Sequence, residues 1–581
     1  MPRFDTARPG SGALVRQDNG RWLSFERPTA IVQAHDVNDV TAAIEHIEAE
    51  TRAKGLHAVG LVSYEAGAAF GLTVSSAQRR LPLVWFALFQ SSDVRERSSE
   101  TQAEQYELGA LTPSVDRPAF ETAFARVRHH LAEGDTYQVN YTFRMEGVFS
   151  GHAAALFADL ASAQEGLYST FLDLGDVAIC SASPELFFER IGSLLVTRPM
   201  KGTAPRGRTL DEDRRQAQQL LASPKQRAEN VMIVDMMRND LGRVAVAGSV
   251  EVPALLTVER YPNVWQMTST VTARTAEGTR LSQIFAALHP SASVTGAPKV
   301  RTMELVEELE RQPRGVYTGA IGHVRPDGSA RFSVAIRTAV VDRRAGRVEF
   351  GIGSGIVWDS VAADEYDECL LKGSVLGERP RPFDLLETMR WAPGEGIFLL
   401  DRHLSRLRAS AEYFGTVIDE ASLERALAEA QGNAPLRLRL LVGRDGRSRL
   451  ERSPLVPAPE VLRVGIAASA VDDRDRFLFH KTTNRSTYER AQRPGFDDMI
   501  LWNERGQATE STKANLVVER GGRRVTPPVD AGLLAGTFRA EVLSTGEVQE
   551  GTVMLDELRR AERVWLINSV RGWQRAIIQV R

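Results

Sequence analysis

The chain has 581 residues, 43% hydrophobic and 25% charged, with a formal net charge of −3, so more than one core is expected and nucleic acid is not an expected partner. No apolar run approaches the ~20 residues of a membrane span, and the start, Met1-Pro2-Arg3-Phe4-Asp5-Thr6, lacks the apolar stretch of a secretory signal. Two cysteines, Cys180 and Cys369, are too few for a disulfide framework or a thiolate zinc site, and the expectation is a cytoplasmic enzyme with no membrane partner and two buried free thiols.

Residues 1–115 carry weak strand and helix signals, among them Gly60 to Ala66 and the apolar run Leu81 to Phe89. From Pro118, the spacing of Phe120, Phe124, Val127 and Leu131 predicts a helix closing at Gly134. Thr136 to Phe143 reads as a strand sending Tyr137, Val139, Tyr141 and Phe143 one way and Gln138, Asn140 and Thr142 the other. Such a polar row is a solvated face or the wall of a site.

Two apolar runs, Ser183 to Ile191 and Leu194 to Thr197, read as a hairpin through Gly192-Ser193, leading into Arg198-Pro199-Met200-Lys201-Gly202-Thr203. A two-residue loop pairs Glu185 with Met200, and a three-residue loop pairs it with Lys201. Either way a carboxylate lies within about a residue of an amine. Gly202-Thr203 allows close backbone approach to a ligand and offers a hydroxyl. Most such surface pairs contribute nothing measurable; here the surrounding motifs give the pair weight.

Arg227 to Arg243 has a helical rhythm crowded with Glu229, Asp235, Arg238, Asn239 and Asp240. Ser293 to Lys299 is a turn feeding a helix over Val300 to Leu309, where Thr295 and the helix-start amides could receive an anion. Tyr317 to Gly322 and a strand over Phe332 to Val341, carrying Arg337, read as sheet. Gly351 to Gly355 is glycine-rich, and Glu365 and Glu368 share one face of a last acidic helix. Glu378-Arg379-Pro380-Arg381-Pro382 is the best linker. The expected division is 1–115, 116–378, a linker at 379–382, and 383–581.

The motifs from Tyr137 to Lys372 resemble the chorismate-utilising enzymes, specifically component I of aminodeoxychorismate synthase. They are Tyr137-Gln138-Val139-Asn140, Ser183-Pro184-Glu185, the lysine hairpin, Glu229 to Arg243, Ser293 to Lys299, Gly353 to Ser360 and the terminal glutamates. The resemblance implies an α+β fold, a sandwich with large antiparallel sheets. It also implies Mg²⁺ held by Glu229 and Glu368 with Glu365 close by, as suits carboxylates. Arg337 and Tyr317 match carboxylate-binding positions, and Thr203, Thr295 and Gly353 line the pocket. Glu185 matches the general acid and Lys201 a nucleophile that attacks chorismate, where anthranilate synthases usually carry alanine. Gln138 replaces the water-activating lysine of isochorismate and salicylate synthases. Gln266 departs from the histidine of many relatives, which leaves its role open. Neither cysteine has a glutaminase-like context, so ammonia must come from a glutamine amidotransferase subunit or from solution.

Residues 383–581 resemble the fold-type IV pyridoxal-phosphate enzymes, aminodeoxychorismate lyase among them, with an α+β fold. Arg406 would reach the cofactor phosphate, with Gly536 and Thr537 at the head of a helix. Lys481 matches the cofactor-binding lysine and Glu510 the partner of the pyridine nitrogen. Asn568, Ser569 and Arg571 match a substrate-facing loop. The resemblance leads to a bifunctional enzyme making 4-aminobenzoate from chorismate, with Mg²⁺ and pyridoxal 5'-phosphate as cofactors and a homodimer through the second unit as the assembly considered. The alternative is an anthranilate synthase-like component fused to a branched-chain or D-amino-acid aminotransferase.

Overall fold

Strand alternation builds the first unit. In Leu56–Val62, Val59 and Leu61 point into one core while Ala58 and Val62 point into another. The adjacent Val84–Gln90 divides likewise, Trp85, Ala87 and Phe89 against Phe86 and Leu88. A strand buried on both faces reads as a continuous apolar run, as Leu81 to Phe89 does. The structure, a computed structural model, describes residues 3–5, 12–77, 80–97, 105–379 and 381–579; Met1, Pro2 and Thr6 of the chain start and Pro380 of the expected linker lie outside them.

Among the described residues, the first unit contains two antiparallel sheets of 11 strands each. The core around Val59 and Leu61 also takes Ala13, Leu172 and Ile179 from the second sheet, so the sheets pack face to face. Helices Val40–Lys54, Pro224–Gly242 and Leu281–Leu288 cover the outer face of one sheet, and Arg117–Ala132, Ala153–Gln164 and Ala362–Ser374 that of the other. This is the expected α+β sandwich. The helix expected from Pro118 starts at Arg117, where the Asp116 carboxylate accepts from Ala119 N at 3.0 Å.

Three local expectations give way to long-range pairing. The hairpin does close on two residues, with Ile191 opposite Leu194, but a bulge between Leu186 and Glu189 shifts the register, leaving Leu186 opposite Arg198. Neither expected partner of Glu185 therefore faces it: Met200–Pro205 is a separate strand paired with Val264–Arg274. The strand expected over Phe332 to Val341 is broken, because Ala330–Val334 ends in one sheet and Thr338–Asp342 begins in the other. Arg337 takes φ 51° at that crossing. Finally, the polar row Gln138, Asn140 and Thr142 is buried rather than solvated, because Gln138–Gly151 is paired along both edges and covered on both sides.

By compactness the chain divides into Met1–Pro205 with Ala217–Pro380, and Arg206–Gln216 with Arg381–Arg581. The second unit thus takes in a short segment lying in sequence between Lys201 and Glu229. It has a 4-stranded antiparallel sheet, with Leu407 and Ala411 of helix Leu400–Phe414 in its core. Its 8-stranded sheet is mixed, since Val461–Ile466 runs parallel to both Asp498–Trp502 and Gly572–Ile578. No helix among the described residues is long and apolar enough to cross a membrane.

Candidate functional site

In the first unit the site grows from the Met200–Pro205 strand. The Asn230 side chain donates to Lys201 O at 2.9 Å and accepts from Ser269 Oγ at 2.6 Å. Gln266 Nε2 donates to Gly202 O and Thr203 Oγ1 donates to Gln266 Oε1, both at 2.9 Å. Gln266 and the exposed Thr203 therefore brace the backbone beside Lys201. Gly202 sits at φ 99°, a conformation that favours glycine.

A Cβ at Gly355 would lie 2.7 Å from Lys201 Nζ and 3.4 Å from Gln138 Nε2, so the amine and the carboxamide converge there. Gln138 is 0% exposed, and among the described residues neither its Nε2 nor its Oε1 has a hydrogen-bond partner. Leaving a buried polar group unpaired costs about 1–3 kcal/mol, which a ligand with matching polar atoms would remove.

Charges divide the roles. Burial lowers the Lys201 amine below its ordinary value, with Lys372 acting the same way and Glu229, Glu185 and Glu368 opposing. Glu185, 4% exposed, is pushed up to about 7 by burial, although Ser293 Oγ donates to it at 2.5 Å and Lys201 also lowers it. Burial raises Glu229 too; Lys201 and Lys225 oppose, while Glu365 and Glu368 add to the rise. Burial works against Glu368, but Lys372, 2.7 Å away, outweighs it and holds the carboxyl low. Glu365 accepts a hydrogen bond from Ser354.

Among the described residues no three acidic, histidine or cysteine side chains form a metal cage. The donor chemistry still fits Mg²⁺, which usually takes one or two protein carboxylates and completes its shell with substrate and water. Mutual repulsion among Glu229, Glu365 and Glu368 is what such an ion would relieve.

The other expected residues scatter in role. Arg337 donates to Lys372 O at 3.0 Å and is lowered by burial, with Tyr317 and Glu368 opposing. The buried Tyr317 ring lies where a Cβ on Gly351 would be, and burial raises its phenol. Gly353 leaves no room for a side chain, since a Cβ would meet Thr142 Cγ2 at 2.8 Å. The helix expected from Val300 begins one residue earlier, at Lys299 behind Pro298, and the buried Thr295 hydroxyl lies 3.2 Å from Ser291 O and 3.3 Å from Ala292 O. Sequence reasoning missed Ser293, Asn230 and Lys372, although Ser293 sits inside a quoted motif and Asn230 follows Glu229.

In the second unit, Arg406 bridges two features. Its guanidinium donates to Glu387 at 2.6 and 2.9 Å and to Ala535 O at 3.1 Å, beside the Gly536 cap of helix Thr537–Ser544. A Cβ on Gly536 would lie 1.9 Å from Asn515 Oδ1, so only glycine fits that cradle. Thr537 Oγ1 is 3.3 Å from His403 Nε2, and His403 Nδ1 is 2.6 Å from Glu387. Arginine, a helix N-terminus and a hydroxyl together suit a phosphate.

Glu510 lies next to this cradle, accepting from Tyr488 Oη at 2.8 Å, Leu534 N at 3.1 Å and Asn515 Nδ2 at 3.2 Å. Burial pushes it up to about 7 despite those donors. Lys481 is lowered to about 8 by burial, then by Arg406 and Arg485, against Glu387 and Glu510. Lysine, carboxyl and phosphate cradle thus share one field, the donor set a pyridoxal phosphate needs. Asn568 Oδ1 accepts from Val570 N and Arg571 N, shaping its loop, and Ser569 Oγ donates to Thr388 O at 3.4 Å. Glu387, His403, Tyr488 and Arg485 escaped sequence reasoning.

Two family models match the chain: chorismate binding enzyme over residues 12–377 and Amino-transferase class IV over 384–577. The chain is 42% identical over 289 residues to aminodeoxychorismate synthase component 1 of Escherichia coli (strain K12), which covers 48% of this chain and 63% of that protein. It is 41% identical over 260 residues to anthranilate synthase component 1 of Thermus thermophilus, covering 45% and 56%. The match therefore spans less than two thirds of either relative's length. A crystal structure of anthranilate synthase component I from Streptococcus pneumoniae shares the fold, with TM-score 0.51 and 24% identity over 65% of this chain and 92% of that one. The chain belongs to the chorismate binding enzyme family and carries, after that domain, an amino-transferase class IV domain.

Proposed function

We propose that the first unit converts chorismate and ammonia to 4-amino-4-deoxychorismate, and that the second releases pyruvate from that product to leave 4-aminobenzoate. The observation that carries this reading is the Lys201 amine beside an unpartnered Gln138 and near a buried Glu185 held at about 7. Lys201 Nζ attacks C2 of chorismate. Both conjugated ring double bonds shift, C1=C2 to C1=C6 and C5=C6 to C4=C5, the C4–O bond breaks, and Glu185 gives its proton to the departing hydroxyl, which leaves as water. Ammonia then forms a bond at C4, both double bonds return to C5=C6 and C1=C2, and the C2–N bond breaks to free Lys201. Glu229 and Glu368 would hold Mg²⁺, which would supply positive charge for a substrate carboxylate, and Arg337 and Tyr317 are further carboxylate partners. Gln138 cannot act as a base, so it offers no route to hydroxide addition.

The second unit holds pyridoxal phosphate by its phosphate at Arg406, Gly536 and Thr537 and by its ring nitrogen at Glu510. The bound cofactor supplies an electron sink. Lys481, lowered to about 8 by burial, takes the C4 proton in its neutral form as the C3–O bond to the enolpyruvyl group breaks. Asn568, Ser569 and Arg571 face the substrate. Both cysteine thiols are buried and raised by burial, so neither serves as a glutaminase nucleophile. Ammonia comes from a separate glutamine amidotransferase subunit, and the setting is cytoplasmic.

Similarity to anthranilate synthase component 1 favours a second reading, anthranilate formation; Lys201 argues against it. Incubating the protein with chorismate, ammonia, Mg²⁺ and pyridoxal phosphate separates the two. 4-Aminobenzoate with an equivalent of pyruvate is expected, and 2-aminobenzoate as the product would overturn the proposal.

A further inference from the structure

The segment Arg206–Gln216 follows the Lys201 strand directly in sequence, yet it packs as part of the second unit. Its contacts there are specific. Arg206 forms a two-pronged ion pair with Asp213 at 2.6 and 2.7 Å, and the two side chains are only 6% and 2% exposed. Arg206 also donates to Tyr413 O at 2.8 Å and lies 4.4 Å above the Tyr413 ring. Tyr413 Oη in turn donates to Gly207 O at 2.8 Å. Gly207 is required where it stands, because a Cβ would lie 2.1 Å from Asp213 N.

The Tyr413 ring also stacks on His480, with ring centroids 4.1 Å apart. His480 Nε2 lies 3.1 Å from Arg208 O, and Nδ1 lies 3.0 Å from Ser410 Oγ. A carbonyl can only accept, so Nε2 carries the proton and Nδ1 accepts from the serine hydroxyl, which fixes a neutral ring in a single orientation. His480 precedes Lys481, whose own carbonyl accepts from Leu386 N at 2.9 Å. The backbone that carries Lys481 is therefore pinned from two sides, one of them by the segment 206–216.

The geometry points to Arg206–Gln216 as a strap that completes the cofactor unit, with Arg206, Asp213 and the Arg208 carbonyl as positioning groups that set the reach of Lys481 through His480. This rests on Lys481 being the cofactor lysine, as proposed above. A buried, hydrogen-bonded ion pair is specific to one geometry, and removing one member leaves the other uncompensated. The strap therefore holds one conformation, and so does the histidine it clamps.

The test uses the full chain loaded with pyridoxal phosphate. The readouts are the pH midpoint of the bound cofactor's absorbance band and the rate at which cofactor is lost on dilution. Asp213→Ala and His480→Ala are expected to shift the midpoint by about one pH unit and to speed cofactor loss about tenfold. His480→Gln, whose amide can still donate to Arg208 O, is expected to recover most of both changes. Tyr413→Phe, which removes one hydrogen bond and keeps the ring stack, gives a smaller shift in the same direction and serves where Asp213→Ala does not fold. A midpoint and a loss rate unchanged in His480→Ala and Tyr413→Phe overturn the strap's role. Lys481→Ala tests the underlying reading separately: if its cofactor band matches the parent's, Lys481 is not the cofactor lysine, whatever the strap variants do.

Discussion

The two sites repeat one pairing in opposite electrostatic settings. Each sets a lysine of lowered pKa near a buried glutamate pushed up to about 7, Lys201 with Glu185 and Lys481 with Glu510. Around Lys481 the arginines Arg406 and Arg485 add to burial, and the amine falls to about 8. Around Lys201 the charged neighbours are mostly acids, Glu229, Glu185 and Glu368, and they oppose the lowering that burial imposes. At Lys481 burial and two guanidiniums thus act together to favour the neutral amine. At the proposed nucleophile burial works against those acids, and a divalent cation on Glu229 and Glu368 would weaken their opposition. The second glutamate is handled differently as well: Glu185 has one side-chain hydroxyl donor, Ser293, whereas Glu510 has Tyr488, Asn515 and a backbone amide.

Removing each lysine is the sharpest way to separate the sites. Lys481→Ala should stop pyruvate release while chorismate is still consumed with ammonia. Lys201→Ala should lower aminodeoxychorismate formation by at least ~100-fold and leave the cofactor absorbance intact. Product analysis checks this, with aminodeoxychorismate supplied to Lys201→Ala, and loss of both activities in either variant under those conditions breaks the comparison. The next largest effect concerns metal. Chelating Mg²⁺ should end the first reaction and spare the second when aminodeoxychorismate is supplied. Glu229→Gln and Glu368→Gln should each raise the Mg²⁺ needed for half-maximal rate by roughly tenfold or more, and Glu365→Gln by less. A larger effect at Glu365 would reassign the direct ligand.

The pH dependence is subtler. Glu185 acts as an acid only when protonated, so the ammonia-dependent rate at fixed free ammonia should fall as pH rises through about 7. The sign for stability is the same. The folded pKa lies above the ordinary 4.5, so the folded state holds this proton more tightly, and stability declines as pH rises from 4.5 to about 7. The smallest expected change is Ser293→Ala. It removes a donor that lowers Glu185, so the falling limb should move to higher pH by under about one unit. A limb that stays in place assigns it to another group.

Much of the chemistry was legible because it is written in local words. Gln138, Glu185, Lys201, Glu229 and Glu368 lie in short motifs, and in the second unit Arg406, Lys481, Glu510, Gly536 and Thr537 do too; the structure draws each set into a common field. The illegible features arise from pairing across distance. A bulge between Leu186 and Glu189 moved Glu185 out of the expected register. A change of sheet at Arg337 broke an apolar run that looks continuous in one dimension. The docking of 206–216 into the second unit left no local trace at all, since Arg206 and Asp213 read as ordinary charges until Tyr413 and His480 are brought to them.

That docking has a bearing on how the chain folds as it is made. Arg208 and His480 are 272 positions apart, and closing so long a loop is not prohibitive, because each doubling of length adds only about 0.6 kcal/mol. Timing is the stricter constraint. At ~5–20 residues per second, the strap is synthesised on the order of ten seconds before the second unit begins to emerge. During that interval Arg206 and Asp213 can find each other, but Tyr413 and His480 do not yet exist. The strand carrying Lys201 is thus followed, for a time, by a segment whose binding surface is still to be made. A nascent chain halted before residue 413 should therefore be cut by protease within 206–216, and one completed to residue 581 should be protected there.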